Sequence, residues 1–453
     1  MREQENIRFK NISHIITVHI VMMLIISKIS FSEGISWLFK DPSVPNIWIV
    51  LGFFIILFHF VLYFCKFSLN IYISELLWFL FIMITLVRNA DIRHGNYNAI
   101  ILYTMTILMM LMLLHFNYWF KPFINTIKFF CICNALATII FWLNSSLYWE
   151  HYHPSISALI ESNFYTGYRS GLAIHYSTNG IYLSVGLLAC TACFSGKKFN
   201  KIDIVLLMTV LFALALTTKR AHLLFSIMAI IGAYYLTRKE KITTRLLKIL
   251  ITLFLSIVLL FVTSYFIPEM MHTVNRFFVG EGGDITNGRI TLYQLAINTF
   301  LSTPSNFLFG IGWGGYKYIY NASNLEHIYN AQSLDTHNVY LQLLCEIGLV
   351  GTLVVLSIFL YTLFLTIGYY RKRRHGSIQI KPEYEAPLFF ALTMQLFFFL
   401  YSITGGVLYV ISTYLPYFFS CAIVYSMRRI HANEVVGRKG EVNESLNNDV
   451  DWY

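Results

Sequence analysis

The chain has 453 residues, 57% of them hydrophobic and only 12% charged, with a formal net charge of +10 at pH 7. Soluble domains carry about 25% charged residues, so this balance excludes an ordinary globular enzyme and makes the lipid bilayer the solvent. The basic excess lies between apolar runs, where it reads as a topology signal and contact with anionic lipid rather than as a nucleic-acid site.

A helix that crosses about 30 Å of hydrocarbon needs about 20 mostly apolar residues. About twelve runs meet this, near 12–32, 44–65, 69–87, 98–115, 122–144, 174–194, 202–218, 221–237, 247–267, 338–369, 386–403 and 406–427. The first ends in Ser27-Lys28-Ile29-Ser30-Phe31, which lacks a small-residue cleavage site, so it reads as a span and not a removable signal. The expected fold is an all-α polytopic membrane protein of about 12 transmembrane helices, one membrane-embedded unit over 1–453.

Basic residues set the orientation. With the amino terminus in the cytoplasm, Lys197, Lys198, Lys201, Arg238, Lys239, Lys241, Arg245, Arg371–Arg374, Arg428, Arg429, Arg438 and Lys439 all fall inside. Two longer connections, 145–173 and 268–336, hold only Arg169, Arg276, Arg289 and Lys317 between them and are expected on the exported face. The polar tail 431–453 falls inside and is the one stretch expected to lack order.

The loop 268–336 separates the ninth and tenth spans and is far longer than a connector needs. Thr286-Asn287-Gly288-Arg289 reads as a helix start, followed by Ile290, Leu292, Leu295, Ala296, Thr299 and Phe300, with Pro304 as the stop. The glycines of Phe309-Gly310-Ile311-Gly312-Trp313-Gly314-Gly315-Tyr316 permit tight turns or close approach of a ligand. Phe277, Phe278, Tyr293, Tyr316, Tyr318 and Tyr320 supply aromatic faces suited either to sugar rings or to the membrane interface.

Thr336-His337-Asn338-Val339-Tyr340-Leu341-Gln342 then places a histidine at the mouth of an apolar helix. Eleven helical steps from His337 to Gly348 come to about 1100°, some 20° past three turns. On that geometry the two share a stripe with Leu341 and Leu344, and the glycine admits a helix or a lipid tail. Arg169 and Gly180 repeat the spacing. Arg220 follows Lys219 in a connection of only a few residues, which puts both at the membrane surface. Arginines on a face otherwise poor in positive charge suit an anionic substrate, because the guanidinium matches phosphate oxygens.

Several features carry less. Asp449-Val450-Asp451 has the aspartate pair of a divalent-metal site but lies in the tail, as solvated charge. Glu281 and Asp284 are neighbours without a further ligand, so no metal or cofactor is expected. Cys190 and Cys193 lie in an apolar helix and read as packing residues. Glu75 and Glu346 are carboxylates inside spans, and Glu346, about 180° around the helix from His337, is expected to bond a neighbouring helix.

Asn287-Gly288-Arg289, Phe309–Gly314 and His337–Leu341 through Glu346-Ile347-Gly348-Leu349-Val350-Gly351 resemble the O-antigen ligase/polymerase superfamily of bacterial envelope glycosyltransferases. The Arg169–Gly180 and His337–Gly348 spacings further resemble the paired motifs of the O-antigen polymerase (Wzy) family. The resemblance implies a donor glycan on undecaprenyl diphosphate, an acceptor sugar hydroxyl, and chemistry on the periplasmic face of the inner membrane, both termini being cytoplasmic. It implies His337 as general base, with Arg169, Arg220, Arg289, Lys219, Asn338 and Tyr340 contacting substrate. Gly180, Gly348, Gly312 and Trp313 would be structural. A chain-length regulator protein would be a further partner. Two other readings stay open: a ligase that moves glycan to the lipid A core, and a transporter of lipid-linked oligosaccharide.

Overall fold

The computed structural model describes residues 73–94, 98–114, 119–156, 167–173, 175–192, 201–238, 243–248, 250–251, 289–323, 325, 334–376, 378 and 380–448. The runs expected at 12–32 and 44–65, most of 247–267, and 268–288 of the long loop lie outside these residues, as do Glu281, Asp284 and the Asp449/Asp451 pair. The described part is all helical, built from α1 (Ile73–Leu86), α2 (Asn98–Leu113), α3 (Phe120–Leu143), α4 (Tyr176–Thr191), α5 (Lys201–Leu216) and α6 (Arg220–Thr237). Three short helices follow, α7 (Arg289–Leu301), α8 (Pro304–Phe309) and α9 (Tyr316–Ala322), then α10 (Val339–Arg374), α11 (Pro382–Tyr401) and α12 (Ile411–Asn448).

Four of these, α3, α6, α10 and α11, are long and apolar enough to cross a membrane. At 1.5 Å per residue, the 18 residues of α6 span about 27 Å. Helices of 14 to 16 residues stand at four further expected spans. Leu76, Phe129, Leu143, Leu353 and Phe364 remain exposed on the outer faces, as a surface solvated by lipid allows.

Helix packing relies on aromatic interlock and small residues. Trp78 of α1 meets Phe418 of α12 edge to face at 4.7 Å, and Phe398 of α11 stacks on Tyr417 at 3.8 Å. A Cβ on Gly186 would fall 1.9 Å from the Cys131 sulfur, so α4 approaches α3 at a glycine, the usual device for close contact in membranes. Polar side chains pair between helices: Thr366 donates to Gln395 at 2.8 Å, and the Trp78 indole N–H to the Tyr425 hydroxyl at 3.2 Å.

Charge sorts along the bundle. The starts of α4, α6 and α10 meet the end of α11 at one end: the Val339 amide donates to Ser402 at 2.9 Å, and Gly180 packs on Lys219 and His222. At the other end Arg374 donates to the Leu236 carbonyl at 2.6 Å and Arg373 pairs with Glu385.

The long loop folds onto α10. Arg289 opens α7 as the sequence indicates, whereas Pro304 starts a helix besides ending one. Thr303 caps α8 by accepting from the Asn306 amide at 3.1 Å, and proline at the first helical position has no amide to leave unpaired. The polar tail is a further departure. α12 continues as helix to Asn448, where Glu434, Arg438, Lys439 and Glu441 favour helix and no proline intervenes.

Candidate functional site

His337 lies just before the α10 cap, with φ +54°, a left-handed conformation uncommon for a residue with a side chain. Asn338 is the cap, its Oδ1 accepting from the Leu341 amide at 3.1 Å. The helix begins only at Val339, and Gly348 leaves the helical region with φ 68° and ψ −173°. The helical stripe from His337 to Gly348 therefore does not exist, since the histidine precedes the helix and the glycine breaks it. The Arg169–Gly180 stripe fails for the same reason: Arg169 sits in a one-turn 3₁₀ helix, Tyr168–Ser170, and α4 starts at Tyr176.

Gly348 admits neither a separate span nor a lipid tail but the end of α8. A Cβ there would lie 2.4 Å from the Leu308 carbonyl. Gly312, at φ +112°, is pressed against the Arg88 carbonyl, where a Cβ would lie 1.8 Å away. Chain, not ligand, fills the space these glycines leave. Trp313 is buried between Phe81, Tyr103 and Tyr409 at 5.8, 5.6 and 5.3 Å, anchoring the loop in the aromatic core.

Glu346 meets this glycine-rich turn. Its carboxylate accepts from the amides of Gly314 (2.9 Å) and Tyr316 (3.2 Å), from Gln342 Nε2 (3.1 Å) and from the Tyr409 hydroxyl (2.8 Å). Four donors match the four lone-pair positions of a carboxylate, which makes the buried charge tolerable. The neighbour it bonds is the amino end of α9.

The loop aromatics are mostly occupied. Tyr316 and Tyr320 are fully buried, and the Tyr316 hydroxyl donates to Leu292 at 3.0 Å, so neither face can stack on a sugar. Tyr318 stacks on His94 at 3.8 Å and donates to Asp91 at 3.0 Å. Tyr293 is half-buried, and Phe277 and Phe278 lie outside the described residues.

Three of the residues singled out by sequence come together. Burial first, then the charges of Arg289 and Lys219, hold the His337 imidazole at about 4, below the ordinary 6.5, so it is neutral at pH 7. Among the described residues its ring has no hydrogen-bonding partner. Arg289 donates to the Thr404 carbonyl at 3.2 Å. The Lys219 ammonium lies 3.8 Å from the Tyr176 ring centroid, at the turn where Thr218 takes φ +57° between α5 and α6. Arg220 is the first residue of α6, beside Lys219. Arg169 reaches the same end by another route: its carbonyl accepts from Asn179 at 2.9 Å, next to Gly180, and its guanidinium lies near the Tyr168 hydroxyl at 3.4 Å. Tyr340 donates its hydroxyl to the Phe399 carbonyl at 2.8 Å.

The structure adds residues that the sequence reading passed over. His222, one turn into α6 and buried, shares a 2.8 Å hydrogen bond with the Tyr401 hydroxyl and packs against Gly180. A histidine two positions after Arg220 inside an apolar span was the available signal. His175 caps α4, its Nδ1 accepting from the Ser177 amide at 3.2 Å. Burial and then Lys219 lower its pKa to about 4, so the neutral ring carries its proton on Nε2.

Residues 204–356 match the family model for O-antigen ligase. Over that stretch the match supports the O-antigen ligase/polymerase superfamily. The matched stretch runs from α5 into α10 and includes Lys219, Arg220, Arg289, His337 and Gly348. Arg169, Gly180, Tyr401 and Thr404 lie outside it. The match supports a general role in surface-polysaccharide biosynthesis. A comparison with curated proteins finds no match.

Proposed function

We propose that the protein polymerises undecaprenyl-diphosphate-linked oligosaccharide repeat units on the periplasmic face of the inner membrane, by inverting glycosyl transfer. The observation that carries this reading is the neutral His337 ring beside the cations Arg289 and Lys219. The His337 nitrogen takes the acceptor hydroxyl proton as that oxygen bonds the anomeric carbon. The bond from that carbon to the diphosphate oxygen breaks, and the lipid diphosphate leaves as an anion. Arg289 and Lys219 stabilise the leaving charge, a task that fixed cations perform without a metal.

The same cations that depress His337 in the free protein are compensated once a diphosphate binds. The base then rises toward its ordinary basicity with the donor in place, so proton transfer is tied to donor binding. Arg169 and Arg220, at the same end of the bundle, extend the positive surface along the path of the glycan-lipid.

The family description favours a second reading, transfer of glycan to the lipid A core by the same chemistry. Purified protein incubated with lipid-linked repeat unit alone separates the two. Polymerase yields a ladder of longer glycans, whereas a ligase yields nothing until lipid A core is added. Transport without chemistry ranks below both, because it has no use for a neutral imidazole beside the cations.

A further inference from the structure

His337 is held in its left-handed conformation, and that conformation needs a cause. A residue with a side chain at positive φ is strained and persists only where the surroundings over-determine it. The surroundings here centre on Gln342, buried in the first turn of α10. Its Nε2 donates to Glu346 at 3.1 Å, and its carboxamide faces the Asp335 carboxylate. Its Oε1 accepts from the Thr336 hydroxyl at 3.3 Å. Thr336 in turn accepts from the Asn338 amide at 3.1 Å and donates to the Asn338 carbonyl at 2.7 Å, one hydroxyl hydrogen serving both acceptors. The chain is thus tied on both sides of His337, while Glu346 fixes the far end of the network to the glycine-rich turn.

We propose that the Gln342 carboxamide, bridging Glu346 and Thr336, is the positioning residue that holds His337 in place. This rests on the reading of His337 as the base, and it assigns Gln342 no contact with substrate. Without the bridge, the buried Glu346 carboxylate loses a donor and Thr336 loses an acceptor. The 335–338 segment then relaxes, and the imidazole gains water.

Among the described residues, the charged and titratable groups on neighbouring elements include Lys219 and His222 of α6, Arg289 of α7 and Tyr401 of α11, with Asp335 on the histidine's own segment. Loss of the bridge leaves Lys219, His222, Arg289 and Tyr401, which lie on other elements, in place. A changed His337 titration therefore reports the position of the ring.

The test is a proton titration of ring-labelled histidine in the full chain in lipid nanodiscs, with His337 assigned by loss of its signal in His337→Gln. Polymer made in cells carrying each variant is measured alongside, per folded molecule. The parent is expected to titrate near 4. Gln342→Leu and Thr336→Val should titrate about one unit or more higher as burial is relieved. Polymer yield should fall about tenfold or more, as for a misplaced reacting group. Thr336→Val keeps the side-chain shape and carries the test if Gln342→Leu fails to fold. A folded variant that titrates with the parent overturns the proposal whatever its yield, as does a moved titration with parental yield. Polymer at the parental rate from His337→Gln would instead sink the reading of His337 as base, a separate failure visible in the same series.

Discussion

Gly310 and Gly348 adopt the same backbone conformation, φ 67°, ψ −172° and φ 68°, ψ −173°, and mark the two ends of one contact between the α8 end and α10. A Cβ on Gly310 would lie 2.3 Å from the Glu346 carbonyl, and one on Gly348 would lie 2.4 Å from the Leu308 carbonyl. The contact is sealed by the Ile311 amide donating to Cys345 at 3.1 Å and the Gly312 amide to Glu346 at 2.7 Å. These carbonyls are freed from the helical ladder by the break at Gly348, so the break supplies acceptors that dock the loop.

Gly348→Ala should therefore destabilise the protein by about 2–6 kcal/mol, the sum of backbone strain at a glycine-only conformation and overpacking. The thermal unfolding midpoint in detergent or nanodiscs checks this. A midpoint equal to the parent's would show that α8 can move aside at no cost.

The pH dependence separates free protein from donor complex. With His337 as the proposed base, the ring works neutral, so activity should fall as pH drops through the His337 pKa. In the free protein that value is about 4, set first by burial and then by Arg289 and Lys219. The acid limb of kcat/KM, which reports the free enzyme, should lie near 4, and that of kcat, which reports the complex, at higher pH. Coincident limbs would show that the donor does not compensate the cations.

Metal removal should leave activity intact. Among the described residues no group of three or more His, Cys, Asp or Glu side chains could hold an ion. Loss of product with EDTA, restored by magnesium or manganese, would reveal a metal site elsewhere in the chain.

Cysteine labelling tests the orientation. His337 and Arg373 lie at opposite ends of α10, so single cysteines there, in a background free of native cysteines, should label from opposite faces. Position 337 should react with an impermeant reagent added to spheroplasts, and position 373 should not. The reverse pattern would put the site on the wrong side for a periplasmic substrate.

Apolar length was the legible signal. The run 122–144 is the helix Phe120–Leu143, and 386–403 is Pro382–Tyr401, because lipid leaves a backbone little choice but helix. Arg289 was legible as a helix start, and His337 as a residue at a helix mouth. The fixed spacing misled, because it assumed unbroken helix through Gly348, and nothing in composition announces a glycine in an extended, left-handed conformation. His222 and Tyr401 are far apart in sequence and meet only when α6 packs on α11. Tyr316 and Tyr320 looked free because burial of a loop depends on where it docks.

If His337 moves the proton and Arg289 binds the donor, single-turnover rate measured beside donor-lipid binding separates the two roles. His337→Ala should lose about a hundredfold or more in rate, the contribution of a positioned base, with donor affinity nearly unchanged. Arg289→Lys should also fail, but through weaker donor binding, since lysine keeps the charge and loses the planar fork. A well-folded His337→Ala protein that turns over at more than about a tenth of the parental rate would show that His337 is not the base.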